Sequence, residues 1–233
     1  MSISTTSSGT KYDGAFWEWL WRSAGIQSAL FFVVAFAIYG HQPQAGASAD
    51  ALAAFYVGER TRVLVAAIVF GMATLNLLWF ASAVRTALGE AGRDGWGGAV
   101  TAAGAAFGSL FLLFVTVVVV LAYSIAGTGN AVVTSALNDF AWALVVLSSF
   151  PRAMLIMAGS FGLWRASLIS NAVFAICVGA VVLVLLGGTT WMNGGVWSPD
   201  GLYARLISPA IGLVWVTLVS VFLTRRPAPG TGW

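Results

Sequence analysis

The chain has 233 residues, of which 59% are hydrophobic and only 8% are charged. A soluble domain carries about 25% charged residues, so this composition excludes an ordinary water-soluble surface. The length fits one polytopic domain, and a formal net charge of +3 without a long basic run argues against nucleic-acid binding.

Cysteine and histidine usage restricts the chemistry further. Cys177 is the only cysteine and His41 the only histidine of the sequence. An internal disulfide and a cysteine-based metal cluster are therefore excluded, and so is a site that needs several histidines. The sequence predicts no metal site and no cofactor.

In chain order, a polar Ser/Thr/Gly-rich segment at 1–14 predicts a flexible tail, and 227–233 predicts a short C-terminal tail. Between them, residues 15–226 predict a single all-α domain, a polytopic bundle of about six transmembrane helices. A spanning helix needs about 20 apolar residues. The six predicted spans cover residues 17–40, 61–85, 98–126, 131–164, 167–187 and 202–224.

Prolines interrupt two of these segments. Pro151 lies within the fourth span, and dividing the helix there would leave 152–164, which is too short to cross a bilayer. The pattern therefore predicts one long helix that is kinked at Pro151. Pro209 predicts a similar kink in the sixth span.

The first span has a second interpretation. "SALFFVVAFAIYG" followed by "HQPQAGASAD" is similar to a signal-peptide core with a cleavage site after Ala49. However, the apolar region extends back to "FWEWLW", and little positive charge precedes it. These two features favour an uncleaved first helix.

Small residues in the third span indicate close helix packing. "GAAFG" places Gly104 and Gly108 one turn apart on the same helix face. This spacing lets two helix backbones approach each other. It predicts a contact inside the bundle, and a dimer interface is the weaker alternative.

Two ionisable residues stand within the fourth span. Asp139 and Arg152 are separated by about 20 Å and roughly 220° of rotation on an ideal helix, so they cannot pair with each other. Matching depth predicts Arg62 or Arg205 as the partner of Asp139, and Glu18 as the partner of Arg152. Charges inside a span are costly, and either helix registry or a functional site explains them.

Several catalytic motifs are absent from the sequence. It contains no phosphate-binding glycine loop, no H-E-x-x-H and no G-x-S-x-G. It also has no aspartate cluster of the D-D-x-x-D type. Magnesium-dependent prenyl diphosphate chemistry therefore has no visible ligands.

Two stretches carry a resemblance to known proteins. "RTRVLVAAIVFGMATLNLLWFASAVRTAL" at 60–88 and "LNDFAWALVVLSSFPRAMLIMAGSFGLWR" at 137–165 resemble a group of uncharacterised actinobacterial membrane proteins. The resemblance covers most of the chain after about residue 50. It implies six helices, an Arg-rich start to the second helix and a Pro-interrupted fourth.

In design alone, the chain is similar to the small integral-membrane terpene cyclases. These are similar in size, in helix number and in lacking metal motifs, and they are understood to protonate an alkene or epoxide with a membrane-embedded carboxylic acid. The acid-bearing motifs of the fungal members are absent here.

One hypothesis is therefore an intramembrane enzyme, an isomerase or lyase, that cyclises a lipid-soluble prenyl or terpenoid substrate. It needs an acid with a raised pKa and aromatic faces that stabilise a cation. Asp139 is the first candidate acid and Glu59 the second. The predicted substrate-binding residues are Trp142, Trp79, Phe80, Phe140, Trp215, Asn138, Arg62 and Arg205.

The alternative hypothesis is a non-enzymatic membrane protein. An accessory subunit or a small transporter would bind a lipid or a larger membrane partner, and it would need no catalytic residue. Both hypotheses imply a hydrophobic small molecule or lipid as ligand, with membrane lipids as surroundings. The sequence leaves the oligomeric state and the question of enzymatic activity open.

Arginine distribution predicts the orientation in the cell membrane. Six spans place both termini on one side, where seven basic residues fall against three on the other, and the side with the excess is cytoplasmic. The seven are Lys11, Arg22, Arg85, Arg93, Arg165, Arg225 and Arg226, and the three are Arg60, Arg62 and Arg205.

This orientation predicts the outcome of reporter fusions. Fusions after Gly92 and after Pro227 should both report a cytoplasmic location, and a fusion after Asn193 should report an external one. An external signal from the Gly92 fusion would contradict the orientation.

Overall fold

The computed structural model describes residues 11–226, and side chains from residue 16 onward. These residues form helices joined by short loops, and none of them lies in a β-strand. The helices are α1 Lys11–Arg22, α2 Ala24–Tyr39, α3 Ala49–Gly58, α4 Arg60–Glu90, α5 Asp94–Thr128, α6 Ala131–Leu147, α7 Ser149–Arg165, α8 Asn171–Thr189 and α9 Tyr203–Thr224.

The prediction of an all-α bundle of long apolar helices is confirmed. Within residues 11–226, five helices are long and apolar enough to span a membrane, with α6 and α7 together forming one of them. A sixth is added when α1 and α2, which meet at an angle of 53°, are counted as one bent span. Most of the predicted tail at 1–14 and all of the tail at 227–233 lie outside the described residues, and α1 begins at Lys11.

Both prolines of interest lie in the first turn of a helical segment. Pro151 follows a one-residue interruption at Ser148, and Pro209 follows a π-helical turn at Tyr203–Ile207. The first N–H groups of a helix have no acceptor within it, so a proline there loses little. This explains why the regular α-helix restarts beside each proline.

Alternating helix directions define two ends of the bundle. The His41 end contains the loops after α2, α5 and α8, and the Arg22 end contains the loops after α4 and α7. Three π-helical turns, at Ala54–Gly58, Leu121–Ile125 and Tyr203–Ile207, all lie at the His41 end. Such turns change the direction in which side chains point, and they are frequent at functional sites.

Small residues allow the helices to approach closely. A Cβ on Gly104 would lie 2.9 Å from the Cβ of Ala81, so α5 contacts α4 at the predicted GxxxG face. A Cβ on Gly25 would lie 2.6 Å from the Phe80 ring and 2.8 Å from Ser220, where α2 meets α4 and α9. The GxxxG prediction of packing inside the bundle is confirmed.

The short helix α3 was not expected. Ser48 begins it by accepting a hydrogen bond from the Ala51 N–H at 3.3 Å. Leu52, Phe55 and Tyr56 are buried on one face. Their i, i+3, i+4 spacing is a helical signal, but the segment is too short to cross a bilayer.

The close contacts at Gly25 predict a matched pair of stability effects. Gly25→Ala should lower the free energy of unfolding by about 1–3 kcal/mol, because the new methyl group overpacks a buried contact. Gly71→Ala is the control, since nothing lies within 4 Å of its added Cβ and alanine favours a helix.

Thermal unfolding in detergent measures both variants. Gly71→Ala should melt at or above the temperature of the wild type, and Gly25→Ala should melt below it. Equal melting temperatures for the two variants would contradict the packing at Gly25.

Candidate functional site

A cavity of about 550 Å³ lies among α2, α5, α6, α7 and α9, between mid-bundle and the His41 end. This volume falls within the range of about 300–1,000 Å³ that is typical of small-molecule sites. We call it the aromatic cavity, because six aromatic side chains other than tryptophan line it. They are Phe32, Phe36, Tyr39, Phe107, Phe111 and Phe114.

The aromatic side chains hold one another by edge-to-face contacts. The ring centroids of Phe32 and Phe111 are 5.0 Å apart with planes at 84°, which joins α2 to α5. Phe70 of α4 packs in the same way on Phe111 at 5.3 Å and on Phe36 at 4.9 Å. Such pairs are favourable beyond the area they bury, so this wall is rigid.

Arg152 lines the cavity from α7 and is buried, with 7% of its surface exposed. Its Nη2 donates to the hydroxyls of Ser149 at 2.9 Å and Ser208 at 3.2 Å, and its guanidinium lies 5.8 Å from the centre of the Phe107 ring. Its Nε is buried without a hydrogen-bond partner. Among the side chains of 16–226, no carboxylate lies within 4 Å of this cation.

Arg205 lines the cavity at its other end. Its Nη2 contacts the imidazole of His41, which links the start of α9 to the loop after α2. Both residues line the cavity, whereas no aspartate or glutamate does among the described residues. The wall of the cavity therefore carries positive charge without a carboxylate.

The loop at 42–46 lies at the His41 end, where its Gln42 lines the cavity, and α6 fixes its position. Asn138, which is fully buried, donates from Nδ2 to the carbonyls of Pro43 at 3.3 Å and Gln44 at 3.0 Å. Its Oδ1 accepts from Gln42 Nε2 at 3.1 Å and from the Tyr56 hydroxyl at 2.9 Å. All four hydrogen-bonding positions of the amide are occupied.

Two further contacts complete this attachment. Trp142 donates from Nε1 to the Pro43 carbonyl at 2.9 Å, and the Gly46 N–H donates to Asp139 Oδ1 at 2.9 Å. Burial raises the pKa of the Tyr56 hydroxyl, so that it remains protonated and donates to Asn138 at neutral pH. Asn138, Asp139 and Trp142 lie on one face of α6, within a single turn.

The two predicted acids lie away from the cavity wall. Asp139 is half-buried and binds the loop backbone through the Gly46 N–H. Glu59 is exposed and lies 3.5 Å from Arg62. Neither residue lines the aromatic cavity.

Of the eight predicted substrate-binding residues, Trp142 and Arg205 line the cavity. Trp79 and Phe140 are exposed on the outside of the bundle, at 47% and 45%. The other four contact other parts of the protein. These are Phe80 and Trp215, which pack edge to face in the core, Asn138 in the loop attachment and Arg62 beside Glu59.

The predicted ion pairs of the fourth span are wrong. Asp139 binds a backbone N–H rather than Arg62 or Arg205, which contact Glu59 and His41 respectively. Glu18 pairs with Arg22 at 2.8 Å, one turn along α1, and Arg152 is held by hydroxyls. The partners of these charged side chains were expected on distant helices. They lie instead one turn away on the same helix, or in a loop that folds back onto α6.

The residues that sequence reasoning missed are the phenylalanines of α2 and α5. Phe107, Phe111 and Phe114 recur at i, i+4 and i+7, which places them on one helix face. Phe32 and Phe36 are also one turn apart. This spacing was available in the sequence, but it does not distinguish a cavity wall from an ordinary core.

Comparison with known proteins gives no match to a protein family, a curated protein or a solved structure. The resemblance to actinobacterial six-helix proteins therefore stays a prediction. Over the described part of the chain, no group of three His, Cys, Asp or Glu side chains could hold a metal ion.

The loop attachment predicts the effect of removing its central amide. Asn138→Leu keeps the side-chain size but leaves the Tyr56 hydroxyl, the Gln42 amide and two carbonyls without this partner. Each unpaired buried group costs about 1–3 kcal/mol. Hydrogen exchange of the amides in 42–46 should therefore become at least tenfold faster.

Asp139→Asn is the matched control, because it keeps an oxygen that accepts from the Gly46 N–H. Its exchange in 42–46 should stay close to that of the wild type. Unchanged exchange in Asn138→Leu would show that the loop is held by other contacts.

Proposed function

We propose that this chain is a multi-pass protein of the cell membrane that takes up a lipid-soluble molecule into the aromatic cavity. The observation that carries the proposal is the cavity itself, with about 550 Å³ of space and walls that are mostly apolar and aromatic. Sites between the helices of a bundle commonly hold small ligands.

The surface around the cavity supports access from the bilayer. Val33 and Phe36 of α2 and Leu206 of α9 line the cavity and are themselves 58%, 36% and 58% exposed. The two helices touch near Gly25 and Ser220, and Arg205 contacts His41 beyond the other end of the gap. We call the gap between these contacts the lateral opening.

Access to the cavity from water is less direct than access from the bilayer. The loop at 42–46 reaches the His41 end of the cavity through Gln42, and Asn138 and Trp142 fix its backbone. We take this fixed loop as an obstacle to a ligand that comes from water. An apolar molecule in the bilayer would meet the lateral opening with its apolar rim.

The finer topology belongs to the same proposal. Both termini lie on the cytoplasmic side, so that the Arg22 end faces the cytoplasm. Bends beside Pro151 and Pro209 widen the bundle at the cavity, which Pro209 itself lines. The motivation is the excess of basic residues at the Arg22 end.

Acid-initiated cyclisation of a prenyl substrate stays a prediction. The aromatic walls suit a cationic intermediate. A proton donor would also be needed within hydrogen-bond reach of the substrate, and neither Asp139 nor Glu59 lines the cavity. The proposed function is therefore uptake and binding, which fits either an enzyme or an accessory protein.

Filling the cavity tests the proposal. The full chain in nonionic detergent is titrated with hexadecanol, and native mass spectrometry counts the bound molecules. Ala210 lines the cavity, so Ala210→Trp should weaken binding at least tenfold by occupying the space. Ala175 is exposed on α8 and outside the cavity, so Ala175→Trp should bind like the wild type.

Saturable binding of one hexadecanol that only Ala210→Trp removes supports the cavity as the site. Equal binding to all three proteins, or no saturable binding to any of them, would overturn the proposal.

A further inference from the structure

Arg152 is a charged side chain in apolar surroundings, and it has no charged partner among the side chains of 16–226. It contacts the Gly212 region at the middle of α9, where a Cβ added to Gly212 would lie 2.9 Å from Arg152 Cδ. Charges at such a depth are costly, and inside a membrane span they indicate a functional site by default. The hydroxyls of Ser149 and Ser208 accept hydrogen bonds, but they do not neutralise the charge.

The guanidinium is available to a ligand on the cavity side. Its Nη2 is engaged by the two hydroxyls, and Nε is buried and unpaired. Arg152 lines the cavity, and its Nη1 makes no hydrogen bond with the side chains and backbone described for 16–226, which leaves this nitrogen free to donate to a ligand. A guanidinium offers parallel N–H donors that match the oxygens of a carboxylate or a phosphate.

Arg205 also places a positive charge on the cavity wall, toward the His41 end. It precedes Gly212 by seven residues, which is about 10 Å along α9, and no acidic side chain of the described residues lines the cavity. A neutral ligand would leave the buried cation uncompensated. An anionic group beside Arg152 would pair with it in surroundings where such pairs are strong.

We propose that the ligand of the aromatic cavity is an anionic amphiphile with a single apolar chain, whose carboxylate or phosphate head binds Arg152. The inference rests on the proposed function and names the ligand class of the same site. The volume suits one hydrocarbon chain of a ligand rather than two. The hydrocarbon chain of the ligand contacts the phenylalanines of α2 and α5 and passes through the lateral opening.

The experiment compares three ligands of equal chain length. Hexadecanol, palmitate and hexadecyl phosphate are titrated into the full chain at neutral pH, with bound ligand counted by native mass spectrometry. The better anionic ligand should bind about 10- to 100-fold more tightly than hexadecanol, which is the worth of a hydrogen bond to a charged group. Tighter binding of palmitate would assign a carboxylate head group to the ligand, and tighter binding of hexadecyl phosphate would assign a phosphate head group.

Substitutions of arginine show which residue causes the preference for anionic ligands. Arg152→Gln should bind both anions no better than hexadecanol, while its affinity for hexadecanol stays within about twofold of the wild type, because the cavity is unchanged. Arg152→Lys should keep part of the preference through its charge. Arg85→Gln removes an exposed arginine outside the cavity and should behave like the wild type.

A pH titration of the wild type tests the same point without a mutation. Below the carboxyl pKa, about 4, palmitate should lose its advantage over hexadecanol. The absence of an anion preference at neutral pH, or its survival in Arg152→Gln, would overturn the inference. Hexadecanol binding that Ala210→Trp still removes would leave the proposed function standing, whereas no saturable binding of any of the three ligands would overturn both.

Discussion

The guanidinium of Arg152, held by hydroxyls in the middle of a bundle of apolar helices, is the constraint around which the other helices are arranged. Ser149 of α7 and Ser208 of α9 both accept its hydrogen bonds. Gly187 of α8 lies against these two hydroxyls, since an added Cβ would come within 2.7 Å of Ser149 Oγ and 2.5 Å of Ser208 Oγ. Three helices therefore meet at one polar point. Small residues are required there, and the space they leave on the opposite side belongs to the cavity.

Aromatic packing supplies the rigid part of the same site. Phe111 contacts Phe32 and Phe70 edge to face, so the rings join α2, α4 and α5. Rings that interlock in this way cannot easily collapse into neighbouring space. The cavity is thus bounded by a stiff wall on one side and by a single buried cation on another.

The sequence was sufficient for the long helices, but it predicted neither the short helix α3 nor the partners of the charged side chains. The length and apolar composition of a segment do not depend on how the helices pack against one another. The predicted spans therefore agree with the helices of the structure to within a few residues. Asp139 shows the limit. Its partner is a backbone N–H at Gly46, in a loop whose position no periodicity encodes, and depth matching pointed to arginines that pair elsewhere. Trp79 and Trp142 are similarly indistinguishable by type and approximate depth, although one faces outward and the other lines the cavity.

The attachment of the loop at 42–46 has a consequence for how affinity must be expressed. Asn138, Asp139 and Trp142 fix the loop at the His41 end. If ligands enter through the lateral opening, as we propose, exchange takes place within the plane of the membrane, in two dimensions rather than three. Occupancy then follows the mole fraction of ligand among the surrounding lipids, whatever its concentration in water. A sparingly soluble compound that partitions strongly into membranes would saturate the cavity at bulk concentrations far below its true dissociation constant.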